Sequence, residues 1–336
     1  MTTFATQKVI KMKEQNTAKG VFLVAIGASS FGMLASFVKL AYAQGYTTAE
    51  VTLSQVLIGL ICVTLINVLR KKSSDEQKAT SKDIRQLILA GTSMGFTSVL
   101  YYMAVSYIDA SIAVVLLMQS VWIGIVLDSI ATKTFPNLLK IISVILILSG
   151  TVLATNVLFS EIKLDIRGVI FGFMAACSFA TTLFASGRIA NHLAAPKRSM
   201  FMLCGAATIV SIFVIITQIG PNNSDAMMSF YTMFSDNTSG IRDFDWSIFY
   251  GWGLILALFG TVLPPIFLNM GFPLTGVGLG SIISSLELPA SVTVAFFVLK
   301  EEVIFIQWMG ILMILGAIVL MNSNLLFKKK KIEVVE

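Results

Sequence analysis

Residues 276–299 read GVGLGSIISSLELPASVTVAFFVL, and Glu287 is the single charged residue among them. A run of this length matches the about 20 apolar residues that cross a bilayer as one helix. It lacks the alternation at period two of a membrane β-barrel strand. A backbone in lipid must satisfy its hydrogen bonds within its own segment, which leaves the helix. A charged side chain inside such a run costs roughly 2.5–3.5 kcal/mol on insertion scales, so Glu287 requires a purpose. Similar apolar stretches occupy roughly residues 20–42, 49–69, 84–105, 110–130, 136–156, 167–189, 197–219, 247–271 and 304–326, so ten transmembrane helices are predicted in an all-α membrane protein. The composition agrees. The chain is 56% hydrophobic and 12% charged, with mean hydropathy +0.85, whereas soluble domains carry about 25% charged residues.

The breaks between these runs are punctuated as helix ends should be. Arg70-Lys71-Lys72-Ser73-Ser74-Asp75 opens a polar connector that lasts to Asp83. Pro136 and Pro196 each open a span, where the first helical turn tolerates a missing N–H. Residues 220–246 form the one long loop, acidic through Asp225, Asp236, Asp243 and Asp245 against Arg242. With the N-terminus in the cytoplasm, only Lys163, Arg167, Arg242 and Lys300 of the 24 Lys and Arg fall outside, and Lys39 lies within the first span. Positive charge collects on the inner side of membrane proteins. Both termini are therefore expected in the cytoplasm, with an even number of spans. The basic residues, and the net charge of +6, read as topology determinants and contacts to membrane lipid, about 1 kcal/mol each near an anionic leaflet, and not as a nucleic-acid surface. Ala41-Tyr42-Ala43 before Gln44 has the look of a signal-peptidase site. The apolar stretch is long for a signal peptide, Lys39 sits just before the site, and cleavage would leave nine spans, so an uncleaved N-terminus is expected.

Cys62, Cys177 and Cys204 lie inside apolar runs without metal spacing and read as packing residues. His192 sits beside Asn191 in a polar connector. No metal, cofactor or catalytic constellation is expected, and no Gly-Lys-Ser/Thr nucleotide loop is present in the sequence. A membrane-embedded enzyme and a non-transporting membrane protein are the alternatives from other classes.

Internal similarity divides the chain. Ser29-Ser30-Phe31-Gly32 aligns with Cys177-Ser178-Phe179-Ala180, and Leu127-Asp128-Ser129-Ile130-Ala131-Thr132-Lys133 aligns with Val294-Ala295-Phe296-Phe297-Val298-Leu299-Lys300. The expected organisation is a cytoplasmic tail over 1–19, a five-helix repeat over 20–156, a short outer linker over 157–166, a second five-helix repeat over 167–326 that holds the long outer loop, and a basic cytoplasmic tail over 327–336. Five spans per half force the second half to enter the membrane inverted. Inverted repeats recur in secondary transporters, because rocking one half against the other exposes a central site to each side in turn.

The five-plus-five spacing, the small-residue starts of spans one and six, and the end of span nine together resemble the drug/metabolite transporter superfamily, in particular its EamA-type members. The last feature is Ser284-Ser285-Leu286-Glu287-Leu288-Pro289-Ala290 followed by Phe297-Val298-Leu299-Lys300-Glu301-Glu302. It is similar to the family's acid and proline in the ninth span and acidic pair before the tenth. The first half departs from this pattern, with Trp122 where Pro289 would predict a proline. The resemblance spans roughly residues 20–326. It implies a ten-helix carrier of the bacterial cytoplasmic (inner) membrane that exports or exchanges small polar metabolites, amino acids among them, without ATP. An uptake carrier for sugars or nucleotide-sugars is the alternative within transport.

Candidate substrate or coupling residues follow from polarity in the spans. Helical spacing places Gly280, Ser284, Glu287 and Ser291 on one face. There Glu287 suits a coupling proton or a cationic group on a small-molecule substrate or counter-substrate, or a buried carboxylate used only for packing. Ser29, Gly32, Ser36 and Lys39 share a face of span one, where Lys39 either meets a carboxylate or snorkels to the interface. Tyr102 follows Gly91, Gly95 and Ser98 on one face of span three, which suits either a cavity wall or close packing. Gln119 and Ser120 form the polar pair of span four, and Trp122 is an aromatic wall or a packing residue. Pro264 and Pro265 interrupt span eight, as hinge or static kink, with Asn269 four residues on. Pro289 is the third hinge candidate.

Overall fold

The polar punctuation becomes helix caps. The Thr47 hydroxyl accepts the Glu50 N–H while the Glu50 carboxylate accepts the Thr47 N–H, and Thr80 and Asp83 repeat this reciprocal box. Asn137 and Asp165 cap the helices that follow them by accepting the N–H groups of Lys140 and Arg167. The computed structural model describes residues 2–71, 77–108, 110–157, 165–232, 241–300 and 302–333. Residues 72–75 of the polar connector, Lys163, Asp236, Glu301, part of the 157–166 linker and the end of the 327–336 tail, all named above, lie outside these described residues.

In chain order the helices are α1 (Thr2–Ala43), α2 (Thr48–Leu69), α3 (Ser81–Tyr107), α4 (Ala110–Leu117), α5 (Ser120–Thr132), α6 (Leu138–Ala154), α7 (Ile166–Arg188), α8 (Ala195–Val214), α9 (Gly220–Asn223), α10 (Asp225–Thr232), α11 (Gly253–Ala257), α12 (Leu263–Thr275), α13 (Val277–Ser284), α14 (Glu287–Val294) and α15 (Phe305–Glu333). Among the described residues there is no strand. Counted through their internal breaks, eight helical segments are long and apolar enough to cross a membrane. The α6 helix and the apolar part of α15, Phe305–Met321, are shorter. The chain is an integral, multi-pass membrane protein.

Several stretches expected to be continuous are not. Span four divides between α4 and α5 at Met118–Gln119, and span nine between α13 and α14 at Ser285–Leu286. At the first break the Gln119 N–H turns to Leu116 O, and the Gln119 side-chain amide donates to Val115 O in its place. At the second, Pro289 has no N–H to give to Ser285, whose carbonyl accepts instead from Leu288. The two breaks are separated by the same interval as Lys133 and Lys300, which terminate their segments with left-handed φ values of 53° and 57°. Span eight bulges into a π-helical turn over Leu258–Val262, and Pro264 and Pro265 occupy the first turn of α12. The stretch 220–246 is not loop throughout, because α9 and α10 lie within it.

The heaviest packing joins the first half of the chain to the second. The α3 helix lies along α7 and α8, α1 along α12 and α14, α6 along α15, and α2 along α8. Gly91 of α3 lies against the Met202 backbone and Gly205 of α8 against the Ile88 carbonyl, an approach that a side chain at either position would block. The main core draws Val24, Val121 and Ile147 from the first half and Leu183, Phe272 and Ile283 from the second.

Candidate functional site

A cavity of about 340 Å³ lies where α1, α2, α3, α4, α7, α8, α12 and α14 converge. Its walls are mainly apolar and aromatic. Phe31 of α1 and Phe179 of α7 both line it and meet edge-on, with ring centroids 6.2 Å apart. Tyr101 and Tyr102 of α3 form another wall. The lining runs from exposed Ala35 and Lys39, near the turn between α1 and α2, to buried Ser186, Met202 and Asn269. The cavity thus has a mouth at the Lys39 end and a floor at the Asn269 end.

Glu287 lines this cavity because the helix breaks just before it. It is the first residue of α14, and its Oε2 is buried without a hydrogen-bond partner among the described residues. Gly32 makes the position possible, since a Cβ there would meet the Glu287 carbonyl and the Ser291 N–H. Ser291, Lys39, Tyr102, Asn269 and Pro265 also line the cavity. Ser284 does not share that surface, because the break divides the face predicted for a continuous helix. It is buried and donates to Gly280 O at 3.0 Å. Ser36 is 2% exposed, and its hydroxyl lies outside the lining, buried without a partner among the described residues. Gln119, Ser120 and Trp122 are likewise absent from the lining. The Trp122 indole N–H donates to Gln119 Oε1 at 2.9 Å, so the pair is self-satisfied. Pro264 and Pro289 are buried in the first turns of α12 and α14.

The sequence matches the EamA-like transporter family twice, over residues 18–156 and 166–323. The chain belongs to the EamA-like transporter family. It is a membrane transporter, and the family membership argues against enzymatic activity. No curated protein matches it. A protein crystal structure resembles it with a TM-score of 0.66 over 91% of this chain and 96% of the other, at 11% identity, which speaks for the fold alone.

Three features of this EamA-like transporter escaped the sequence reading. Arg198, taken there as an inner-side charge, is 1% exposed beside the cavity floor. Its guanidinium donates to Ile189 O at 3.0 Å, Ser186 O at 2.7 Å and Asn269 O at 2.7 Å. The first two carbonyls belong to the C-terminal end of α7, where the helix supplies no donors. The Asn269 carbonyl is free because Pro273, four residues on, has no N–H. That proline was the available signal. Asp128 has a side chain only 15% exposed. It accepts from Arg188 at 2.9 Å and from the Gly278 N–H at 3.2 Å, tying α5 to the end of α7 and the start of α13.

Glu50 was also missed. It is fully buried at the start of α2 and accepts from Arg242, from Gln218 at 3.0 Å and from the Asp245 N–H at 2.7 Å. The segment before α11 is thereby fixed to the helix end on the mouth side. Hydrogen bonds from Ser247, side chain and backbone, hold the neighbouring Asp245 carboxyl below its usual range.

Proposed function

We propose that this chain is a secondary transporter that exports or exchanges small polar metabolites, amino acids among them, by alternating access. In this reading α6 and α15 also cross the bilayer. That makes ten spans in two oppositely inserted halves, with both termini in the cytoplasm of a bacterial cell. The observation that carries the proposal is the Glu287 carboxylate, held at a helix break in a cavity lined by helices of both halves. Discontinuous helices at corresponding positions of two repeats mark transporter binding sites. The matched breaks at Met118–Gln119 and Ser285–Leu286 support that assignment. With the N-terminus inside, the Lys39 mouth faces outward, and the Arg198 and Asp128 contacts lie on the inner side.

Either a coupling proton or a counter-substrate drives the cycle through Glu287. The test is flux in proteoliposomes loaded with candidate metabolites, with and without a pH gradient. Wild-type protein is expected to exchange at least one metabolite class. Glu287→Gln is expected to lose about tenfold or more of that flux at unchanged thermal stability, as fits loss of a charge-assisted contact. Wild-type flux in a folded Glu287→Gln variant removes the carboxylate from the mechanism. Metabolite profiling of cells and medium, with and without the protein, fixes the direction.

A further inference from the structure

We propose that the C-terminal part of α1, around Lys39, is the outer gate of the transporter, and that it closes by seating Lys39 on Val105 at the α3–α4 junction. The inference rests on the alternating-access reading above and names the part that moves. The interval from Lys133 to Lys300 also relates the starts of α4 and α13, Ala110 and Val277, and the starts of α5 and α14, Ser120 and Glu287. The interval from Phe31 to Phe179 relates α1 to α7. Tertiary contacts keep both registers. A Cβ at Gly20 of α1 would meet Leu274 and Thr275, and one at Gly168 of α7 would meet Tyr107 and Ile108, which are the equivalent residues.

Farther along the same two helices the equivalence fails. Gly187 of α7 is seated on the α12–α13 junction, where a Cβ would lie 2.7 Å from Val277 Cγ2 and 3.7 Å from Phe272 Cβ. One turn earlier, Leu183 is 1% exposed. The equivalents of Gly187, Leu183 and Phe272 are Lys39, Ala35 and Val105. All three line the cavity, and Lys39 and Ala35 are exposed. The inner seat is therefore filled while the outer one stands open. Inverted repeats reach their second state when one half takes up the arrangement of the other. The end of α1 then takes the seat on α3 that the end of α7 now holds on α12. Phe31 and Phe179 are each other's equivalents and touch, so their contact maps onto itself and persists through the exchange. The contacts of Gly20 and Gly168 exist on both sides at once and persist as well. Motion is thus confined to the parts of α1 and α7 beyond the two phenylalanines. Closure lays the Lys39 stem on Val105 and leaves its ammonium at the outer rim.

The test is the pair Lys39→Cys and Val105→Cys in full-length protein whose Cys62, Cys177 and Cys204 are replaced by alanine. The 3.7 Å between β-carbons in the equivalent inner seat lies within the about 3.5–4.5 Å that a disulfide spans. Membranes are oxidised with copper phenanthroline, and the disulfide is read by peptide mass spectrometry. A Ser186→Cys reporter at the cavity floor is labelled with maleimide from the cytoplasmic side before and after oxidation. The disulfide is expected to form, to raise reporter labelling severalfold, and to stop flux in proteoliposomes until it is reduced. Leu40→Cys with Ala295→Cys, the equivalents of Arg188 and Asp128, bridged by a short bis-maleimide, gives the same readouts if the first pair does not fold. No cross-link in folded protein, unaltered reporter labelling, or undiminished flux through cross-linked chains each overturns the gate. Cross-linking with reporter exposure, but no metabolite flux through wild-type protein, leaves the conformational exchange standing and rejects the transport reading instead.

Discussion

Arg198 shows how one side chain can satisfy groups that the helices themselves cannot. Its guanidinium serves the last carbonyls of α7 and the carbonyl that Pro273 orphans in α12. Replacement by methionine keeps bulk and removes every donor. Arg198→Met is expected to destabilise the protein by about 3 kcal/mol or more, because buried acceptors lose charged donors. Thermal unfolding in detergent measures this, and an unchanged Tm would contradict the capping role. Gly32 is the complementary case, a position defined by what is missing. Gly32→Ala places a methyl group against the Glu287 carbonyl and is expected to cost about 1–3 kcal/mol and to reduce flux. Gly27→Ala is the control, since the nearest atoms its Cβ meets belong to the side chains of Leu268 and Phe267, from 3.2 Å. If the two alanines behave alike, the contact with α14 is not what makes Gly32 necessary.

The broken helices place the chemistry. A continuous span nine would carry Ser284 and Glu287 on one face. The break at Ser285–Leu286 instead leaves Ser284 buried in α13 and starts α14 at Glu287. On the floor side, Asp128 links α5 to α7 and α13. The pair with Arg188 is partly exposed, at 15% and 37%, so it contributes under about 1 kcal/mol to stability. In the alternating-access reading proposed above, its larger effect is expected on which face of the protein opens. Asp128→Asn is expected to leave Tm nearly unchanged. It should also speed, severalfold, the modification of a Ser186→Cys reporter by an impermeant maleimide applied from the cytoplasmic side. An unaltered rate would show that these helices separate without regard to that contact.

The packing of the molecule is an exchange between its halves. The α3 helix meets α7 as α12 meets α1, and the α6–α15 and α2–α8 contacts each pair one half with the other. Neither half therefore builds the cavity alone. Oppositely inserted five-helix halves require an even total of spans, and so both termini on one side of the membrane. Impermeant labelling of tags at the two ends is expected to leave both protected in intact cells and to reach both after permeabilisation. Labelling of one end alone would eliminate the scheme.

Much of the architecture was legible in the order of residues. Apolar runs of about 20 residues specify membrane helices because unpaired backbone groups have no partner in lipid. The caps at Thr47, Thr80, Asn137 and Asp165 are local, since each closes within three residues. Glu287 stood out because a lone charge in such a run is expensive. Phe31 and Phe179, aligned by the internal repeat, touch edge-on in the structure, a contact that the alignment did not specify. Other features depended on neighbours distant in the chain. Gln55 and Asn269 became polar cavity walls, while Gln119 and Trp122, equally polar in sequence, satisfied each other. Arg198 read as an inner-side topology charge, and only the packing brings the orphaned carbonyls of α7 and α12 to it. Hydropathy and capping act over a few residues, and so composition decides which segments enter the membrane. The use of a buried polar group depends on donors and acceptors supplied by other helices, and only their packing decides it.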